Sequence, residues 1–491
     1  MSNRIVELRH IFGLKLREIR LEKGITYQAL SQDSGLSVSY LSEIESGKKY
    51  PKGDKILLLA SSLDVPYDEL VSLKVPKKLQ PVVDLMESNF IRDFPLEKFG
   101  INYQKLVEIV AQDPAKTNAF ISTIMRISRN FEMKQAQFNV AALRSYRELH
   151  NNYFEELEDT VSELHLEFTE LQDIPFQPEV LEDILLKIGV RTDFEELANK
   201  PNLKDVRSVY HPRQRLLHIN KGLTKGQKNF LLGREIAFQW LRLKQRPLAT
   251  PFLGKVTFEE LLNNFFASYF SAALIIPRDN IIEDFRTISK MDKWNPQALT
   301  GLVDRYDATP EMVMQRLTSI LPTYFDFANL YFLRFVKSGD LIDLTKELHL
   351  STQHNPHANE LSEHYCRRWL GIRTLLDLEK QRKKKVGLIG EAQRSKFHTS
   401  GNEYFGLSMA FPNVSNPDES ISVTVGFLNN KTLQKKLGFV SDEDIEDREV
   451  NVTCERCGIT DCLQRAESPA LFEQSERAKA VMAEIDEIVS K

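Results

Sequence analysis

The sequence predicts a mainly helical protein whose C-terminal half is α+β. Three observations lead to this: short capped helical periods within residues 1–73, long helical repeats of apolar residues in the middle, and alternating apolar residues between 385 and 428. The 491 residues correspond to about three domains of ~150 residues. We expect a five-helix N-terminal domain, a long helical linker, a middle domain and a small β-containing domain.

The composition is that of an ordinary globular protein, with 42% hydrophobic and 27% charged residues. A formal net charge of −4 excludes a chain that is basic throughout, but a local basic patch is compatible with it. The most apolar stretch, 267–277, is shorter than the ~20 residues that span a bilayer. Residues 1–10 lack a signal-peptide core. We therefore predict a cytoplasmic protein with no membrane partner.

Residues 1–73 predict a helix-turn-helix. Thr26 is a candidate N-cap for the first helix of the pair, Gly35 supplies a tight turn, and Ser37 caps a second helix that ends at Gly47. Two short helices joined by such a turn form a DNA-binding motif, in which the outer face of 38–45 is free to enter a groove. A five-helix protein–protein module is the alternative. The residues expected to pack the pair together are Leu30, Leu36, Leu41 and Ile44.

This segment resembles the lambda-repressor-like, XRE-type helix-turn-helix, through Leu-Arg-Glu-Ile-Arg-x-Glu-Lys-Gly and Gly-Leu-Ser-x-Ser-Tyr-Leu-Ser-x-Ile-Glu-x-Gly. The resemblance implies a DNA-facing set of Thr26, Tyr27, Ser37, Val38, Ser39, Tyr40, Ser42 and Glu43. Residues 1–78 hold 13 basic and 10 acidic side chains, which predicts few phosphate contacts per subunit. The residues that we expect to make them are Arg17, Arg20, Lys48, Lys49 and Lys52.

The next part of the chain predicts a linker at 74–84 and a helical linker or dimerisation region at 85–172. One apolar stripe runs from Phe120 to Phe131, and a second from Ala142 to Phe168. The second stripe predicts a single helix of roughly 35 residues, on the order of 50 Å long. Such a helix can pair with a symmetry mate or pack on its own chain, and the sequence leaves both open.

Residues 173–345 predict a degenerate peptidase domain. A hairpin at 206–220 precedes a helix at 229–240 and a second helical segment at 259–270, an order that looks like the zincin-like ImmA/IrrE family. That family carries His-Glu-x-x-His and a later acidic third ligand. By this resemblance Arg234 and Phe238 occupy the two histidine positions, Glu235 the general-base position and Glu260 the third-ligand position.

Zinc requires imidazole, thiolate or carboxylate ligands, which neither arginine nor phenylalanine supplies. We therefore predict a pseudo-peptidase without catalytic zinc or enzymatic activity. We also expect Arg234 to pair with Glu260 in place of the metal.

All four cysteines form one candidate set within a domain predicted at 346–467. Cys454, Cys457 and Cys462 follow a C-x2-C-x4-C spacing, and Cys366 must approach from upstream. Thiolates at such spacing bind Zn²⁺ or an iron–sulfur cluster, and the spacing does not distinguish the two. Disulfides are disfavoured in a reducing cytosol, and four unrelated free thiols are the remaining alternative.

Alternation predicts strands at 385–390, 404–411 and 420–428, which together suggest a small sheet with a sensor pocket. The run at 380–385 would attract phosphates or simply form a solvated face. The last segment, 468–491, repeats apolar residues at helical spacing and predicts a docking or dimer helix.

The whole arrangement resembles the short-chain fatty acyl transcriptional regulators, which include propionate- and glyoxylate-pathway regulators. The resemblance rests on this domain order and on such pieces as Cys366-x-x-Trp369 and the ending Cys462-Leu-Gln-Arg465-Ala466. It implies that the four cysteines carry a [4Fe-4S] cluster and that the C-terminal half senses a coenzyme A thioester.

We therefore predict a dimeric, non-enzymatic regulator that binds operator DNA and responds to a short-chain acyl-coenzyme A. The alternatives are a redox- or iron-sensing regulator and, from the enzyme class, a zinc metalloprotease that acts on a repressor. That enzyme would need histidines at positions 234 and 238, where the sequence has arginine and phenylalanine.

Overall fold

The structure is a computed structural model in which the chain divides into two compact units, Met1–Ala142 and Leu143–Lys491. It describes residues 2–72, 96–100, 135–171, 173–251, 257–327, 329–350, 363–381 and 386–490. The predicted linker at 74–84, the stripe from Phe120 to Phe131 and most of the charge run at 380–385 lie outside the described residues.

The first unit contains the five predicted helices, followed by a short 3-10 helix at Leu96–Phe99. The helices are α1 (Ser2–Glu22), α2 (Tyr27–Ser34), α3 (Val38–Glu45), α4 (Gly53–Ser62) and α5 (Tyr67–Val71). The Thr26 hydroxyl accepts from the Ala29 N–H at 3.1 Å, and Ser37 caps α3 in the same way, as predicted. Gly35 ends α2 with a φ of 68°, a left-handed conformation that glycine adopts without strain.

One apolar core holds these five helices together. The four residues predicted to pack α2 against α3 all belong to it: Leu30, Leu36, Leu41 and Ile44. Gly13 lets α1 pack closely against α3, because a β-carbon at this position would lie 2.4 Å from the Ile44 carbonyl oxygen. Leu41 and Ile44 hold one face of α3 in the core, so the other face of this helix points toward solvent.

The predicted 35-residue helix is wrong, because the chain turns at Asn151 and Asn152. These residues have φ values of 50° and 54° and separate α6 (Gln135–Leu149) from α7 (Glu155–Glu167). The buried Asn152 amide stabilises the turn by donating to the Thr318 hydroxyl at 3.0 Å. The apolar face of α7 is buried within its own chain, against α10 (Phe258–Ile275).

The middle of the second unit is a small sheet covered by helices. Its strands follow the order β1-β3-β2-β4, with β2 and β3 forming the predicted hairpin. They are β1 (Arg191–Asp193), β2 (Ser208–His211), β3 (Leu216–Ile219) and β4 (Ala249–Thr250). The helices of this region are α8 (Pro178–Lys187), α9 (Lys225–Trp240), α10, α11 (Arg278–Ser289), α12 (Pro296–Tyr306) and α13 (Pro310–Tyr324).

A buried ion pair joins α7 to α13. Arg316 Nη2 donates to Glu158 Oε2 at 2.8 Å, and the Tyr269 hydroxyl donates to the other carboxylate oxygen at 2.6 Å. The Arg316 Nε–H donates to the Ile276 carbonyl at 3.0 Å, so these contacts tie α7, α10 and α13 together. The Arg316 charge lowers the pKa of Glu158, although burial alone would raise it.

The last part of the chain is a six-stranded sheet in the order β10-β7-β8-β9-β5-β6. Its strands are β5 (Leu330–Ser338), β6 (Leu341–His349), β7 (Ile389–Phe397), β8 (Glu403–Pro412), β9 (Glu419–Leu428) and β10 (Asp447–Val450). All neighbouring pairs are antiparallel except β10 and β7. The remaining helices are α14 (Leu370–Gln381), α15 (Lys431–Lys436) and α16 (Ala470–Val489). Helix α14 packs across β5, β7, β8 and β9.

Two sequence predictions differ from this sheet. β5 and β6 belong to it, so the boundary predicted at 345/346 falls inside β6. The strand predicted at 385–390 instead runs over 389–397, because polar residues in β7 are buried. Gln393, for example, is fully buried and donates to the Arg368 carbonyl at 3.1 Å. Among the described residues, no helix is both long enough and apolar enough to cross a membrane.

Candidate functional site

The outer face of α3 forms the candidate DNA-binding surface. Val38 and Ser39 are exposed, while Tyr40, Ser42 and Glu43 are half-buried at its edge. Lys48 and Lys49 follow the helix and are also exposed. The Lys49 ammonium lies 2.6 Å from a Glu43 carboxylate oxygen, in an ion pair that solvent reaches. The surface therefore offers short polar groups in its middle and positive charge at one end.

The other predicted DNA-facing residues lie where their hydroxyl groups already have structural partners. Thr26 and Ser37 use their side-chain oxygens as helix caps. The Tyr27 hydroxyl donates to Glu45 Oε2 at 2.6 Å, and burial with this contact raises the pKa of Tyr27 to about 12. Arg17 is half-buried on α1.

Arg20 does not fit the predicted phosphate contact. Its guanidinium donates to both carboxylate oxygens of Glu45, at 2.6 and 3.0 Å, and lies 4.1 Å from the Tyr27 ring centre. The side chain is buried. Arg20 therefore ties α1 to α3 and positions the recognition surface from behind. No sequence pattern predicts this pairing, because Glu45 lies two helices further along the chain than Arg20.

The degenerate peptidase site is built around a buried carboxylate on α9. Both oxygens of Glu235 accept from the Arg246 guanidinium, at 2.8 and 2.6 Å, and Gln239 donates to one of them at 2.7 Å. The Arg246 guanidinium also lies 3.6 Å from the Phe238 ring centre and 4.5 Å from that of Tyr210. Glu235 thus has an arginine as its cationic partner, and both of its oxygens accept hydrogen bonds from that arginine.

The expected ion pair between Arg234 and Glu260 is wrong. Arg234 donates to the Thr250 hydroxyl at 2.9 Å and to the Asn264 side-chain oxygen at 2.5 Å. Glu260 instead accepts from the Thr257 N–H at 2.9 Å and forms the capping box of α10. Burial, with the nearby positive charge of Arg246, lowers the pKa of Arg234 to about 10.

The cysteine residues come together along the backbone. Tyr365 and Thr453 form an antiparallel bridge, so Cys366 lies beside the chain that leads into the Cys454–Cys462 segment. The Cys366 N–H donates to the Val452 carbonyl at 3.2 Å, and the Cys454 N–H donates to the His364 carbonyl at 2.9 Å. Two stretches that are distant in sequence therefore meet at this point.

The side chains of this cluster are four free thiols. Three of them, Cys366, Cys454 and Cys457, are buried, and Cys462 is partly exposed. Burial, with the two neighbouring thiols Cys454 and Cys457, raises the pKa of Cys366 to about 11. The Ala466 N–H lies 3.3 Å from Cys454 Sγ, as a donor to that sulfur.

The donor chemistry of this cluster fits a thiophilic metal or an iron–sulfur cluster, and so does the path of the backbone. The side-chain geometry does not complete the fit. Across the described residues, no three His, Cys, Asp or Glu side chains form a group that could hold a metal ion. Arg465 holds the turn in shape by donating to the carbonyls of Cys454, Cys457 and Ile459.

Two family models match this chain. A helix-turn-helix model matches residues 16–70, and an IrrE N-terminal-like domain model matches residues 187–318. The first match covers α2 and α3 with their caps, and the second covers α9 with Arg234 and Glu235. The capped pair of helices and its matched model identify residues 16–70 as a helix-turn-helix DNA-binding domain.

Relatives with regulatory names share that domain. The HTH-type transcriptional regulator y4dJ of Sinorhizobium fredii is 34% identical over 67 residues, which are 14% of this chain and 87% of that protein. The HTH-type transcriptional regulator RghRB of Bacillus subtilis is 42% identical over 62 residues, 12% of this chain and 45% of RghRB. This chain thus spans about half the length of RghRB. It belongs to the helix-turn-helix family of transcriptional regulators.

A solved structure, titled as a Mycobacterium tuberculosis transcriptional regulator, is similar over a longer stretch. It is 16% identical, with a TM-score of 0.45, and the match covers 67% of this chain and 93% of that one. The IrrE-like match does not by itself indicate catalysis, since the two histidine positions hold Arg234 and Phe238.

The exposed lysines after α3 generate a prediction for DNA binding. Lys48→Gln with Lys49→Gln should weaken binding to all duplex sequences about tenfold and lower the salt slope by about two, because each phosphate contact releases roughly one counterion. The measurement is fluorescence anisotropy with a duplex that the full chain selects from a random pool. Lys23→Gln with Lys98→Gln, which removes two exposed lysines that are not predicted to contact DNA, is the charge-matched control. An unchanged salt slope in the double variant would exclude these phosphate contacts.

The buried pair on α9 generates a stability prediction. Arg246→Met should lower the free energy of unfolding by about 3 kcal/mol, because it leaves the Glu235 carboxylate buried without a counter-ion. Adding Glu235→Gln to that variant should recover most of the loss. Urea unfolding followed by tryptophan fluorescence reports the second unit, which contains all three tryptophans of the chain.

The matched control for Arg246→Met is Arg286→Met, which removes an exposed arginine paired with Glu283 at 2.7 Å. Such a surface pair contributes less than about 1 kcal/mol. Equal stability of Arg246→Met and the unmodified chain would refute the structural role of the pair.

Proposed function

We propose that this protein is a one-component transcriptional regulator whose second unit carries a thiolate-held inorganic centre and responds to a short-chain acyl-coenzyme A. The DNA-binding domain supplies the output. The observation that carries the proposal is the bridge between Tyr365 and Thr453, which brings Cys366 to the start of the Cys454–Cys462 turn.

Three features support the inorganic centre. All four cysteines are free, three of them are buried, and a backbone N–H donates to Cys454 Sγ, a contact that stabilises thiolate ligands. A bound [4Fe-4S] cluster would supply a redox-active group, whereas Zn²⁺ would supply a cross-link without redox chemistry. Of these two, the resemblance stated above favours [4Fe-4S]. In either case the protein's part is to hold the turn, which Arg465 does through three carbonyls.

The proposal that an effector controls DNA binding rests on the domain order and on the same resemblance. An effector changes DNA affinity only if it binds two states of the protein with different affinity. A short-chain acyl-coenzyme A is the proposed effector. The second candidate is a redox or iron signal at the cysteine centre itself, and the partial exposure of Cys462 favours it, because solutes can reach that side.

A homodimer is part of the proposal, because helix-turn-helix domains commonly bind paired half-sites. Helix α16 supports this, since none of its residues is buried and several of its large apolar side chains are exposed: Val481, Met482, Ile485, Ile488 and Val489. Such a stripe suits a second copy of the same helix. A monomeric mass of the DNA-free and DNA-bound chain in sedimentation would exclude it.

The cysteine centre generates a prediction for metal content. In anaerobically purified protein, Cys457→Ser should lower iron or zinc per chain by at least about half, because a hydroxyl is a much poorer ligand than a thiolate for either centre. Elemental analysis measures the loss, and a broad visible absorption identifies iron–sulfur rather than zinc. Ile459→Val, a conservative change in the same turn, is the control. Unchanged metal content in Cys457→Ser, or metal-free unmodified protein, would refute the centre.

The proposed effector generates a prediction for DNA affinity. At least one ester in a panel of acyl-coenzyme A esters of increasing chain length should change operator affinity about tenfold, a coupling free energy of about 1.4 kcal/mol. Free coenzyme A is the control ligand, and anisotropy is the readout. If no ester changes the affinity, the acyl-coenzyme A proposal fails. A change on oxidation alone would establish the redox alternative.

A further inference from the structure

An open cleft lies beside the degenerate peptidase site. Its volume is about 960 Å³, and it is bordered by the β2–β3 hairpin, the end of α9 and the segment that follows α9. Its cationic lining residues are Arg215, Arg242, Lys244 and Arg246. Its aromatic lining residues are Tyr210, Phe238 and Trp240. The cleft is therefore large enough for a small molecule and combines positive charge with apolar surface.

The residues that line this cleft include more cationic than acidic side chains. Among the lining residues the structure describes, the acidic one is Glu260, whose carboxylate caps α10. Arg242 and Lys244 are exposed, and no carboxylate of the described residues lies within ion-pair distance of either. Arg215 donates to the main-chain carbonyls of Gly189 and Ile188, at 2.7 and 2.8 Å. The mouth of the cleft thus carries net positive charge.

A second, independent observation comes from the floor of the cleft. A small adjoining cavity shares Tyr210, Phe238 and Arg246 with the cleft. It is also lined by Arg234 and by Glu235, whose carboxylate is paired with Arg246. The Arg234 guanidinium is buried and has only neutral side-chain partners, Thr250 and Asn264. Its Nε–H, and that of Arg246, are buried without a hydrogen-bond acceptor. A buried cation with an unpaired donor is unfavourable unless an anion compensates it.

We propose that this cleft binds a small molecule in which an oxyanion, a phosphate or a carboxylate, is attached to an apolar body. Arg242 and Lys244 attract the anion at the mouth, and the arginines at the floor meet it below. The apolar body rests against the side of the cleft formed by Trp240, Leu243 and Leu248, the last of which is 47% exposed.

Charge inversion explains why an anion fits here. In zinc peptidases of the ImmA/IrrE family, which this region resembles, the corresponding site holds a metal cation among neutral and anionic ligands. By that resemblance, Arg234 stands at the position of one metal ligand in this chain. The Arg246 guanidinium donates to both oxygens of the Glu235 carboxylate. Two arginines, Arg234 and Arg246, line the floor beside the single carboxylate of Glu235, so the excess charge there is positive and favours an anion. Guanidinium groups suit phosphate and carboxylate oxygens, because they donate two parallel hydrogen bonds.

This inference does not rest on the cysteine centre or on the acyl-coenzyme A proposal, and its test measures the binding of small anions without DNA. The probes are phenyl phosphate, benzoate and the neutral benzamide, titrated into the full chain by calorimetry. At least one of the two anions should bind with a Kd of about 1 mM or tighter, and benzamide should bind at least tenfold more weakly. Which of the two anions binds identifies the charged group that the cleft prefers.

The variant that tests the assignment is Arg242→Gln with Lys244→Gln, two exposed residues whose replacement leaves the core intact. It should weaken binding of the anion about tenfold with an unchanged unfolding midpoint. Lys431→Gln with Lys435→Gln, exposed lysines on α15, is the charge-matched control and should leave the Kd unchanged. The proposal is overturned if neither anion binds, if benzamide binds as tightly, or if the control variant loses as much affinity as the cleft variant.

Discussion

The ion pair between Glu235 and Arg246 is the constraint around which the middle of the molecule is arranged. A carboxylate that is 1% exposed requires a counter-charge, and Arg246 supplies it with two hydrogen bonds of 2.8 and 2.6 Å. Arg246 reaches this position because its guanidinium lies against the Phe238 ring. Phenylalanine at a histidine position is therefore more than a lost ligand, since it provides the surface on which the replacing cation rests.

The pairing of Arg246 with Glu235 also explains the contacts that Arg234 and Glu260 make. Once Arg246 neutralises Glu235, a second cation at Arg234 has no acidic partner, and neutral oxygens from Thr250 and Asn264 take that place. Glu260 is then free to cap α10, where its carboxylate also interacts favourably with the helix N-terminus. The region has the order of hairpin and helix that the sequence predicts, and it places two arginines beside one buried glutamate.

The sequence predicted the features that depend on neighbouring residues. Thr26, Ser37 and Gly35 act within four residues of where they stand, so the helix-turn-helix and its caps could be inferred directly. The features it missed depend on distant partners. Asn151 breaks a continuous apolar stripe, and the buried amide of Asn152 at that turn is bound by Thr318, far along the chain. Likewise the sequence does not predict the role of Arg246, because no spacing rule connects it with Glu235.

Cys366 and the Cys454–Cys462 segment, which are distant in sequence, meet next to the start of α14. Cys366 is followed directly by the turn that begins α14, and the Trp369 indole N–H donates to the Asn451 carbonyl at 2.6 Å. Trp369 thus connects the start of α14 with the chain that leads into Cys454. Helix α14 in turn packs across four strands of the large sheet. The two cysteine-bearing stretches are therefore connected, through Trp369 and α14, to the packing of the C-terminal sheet.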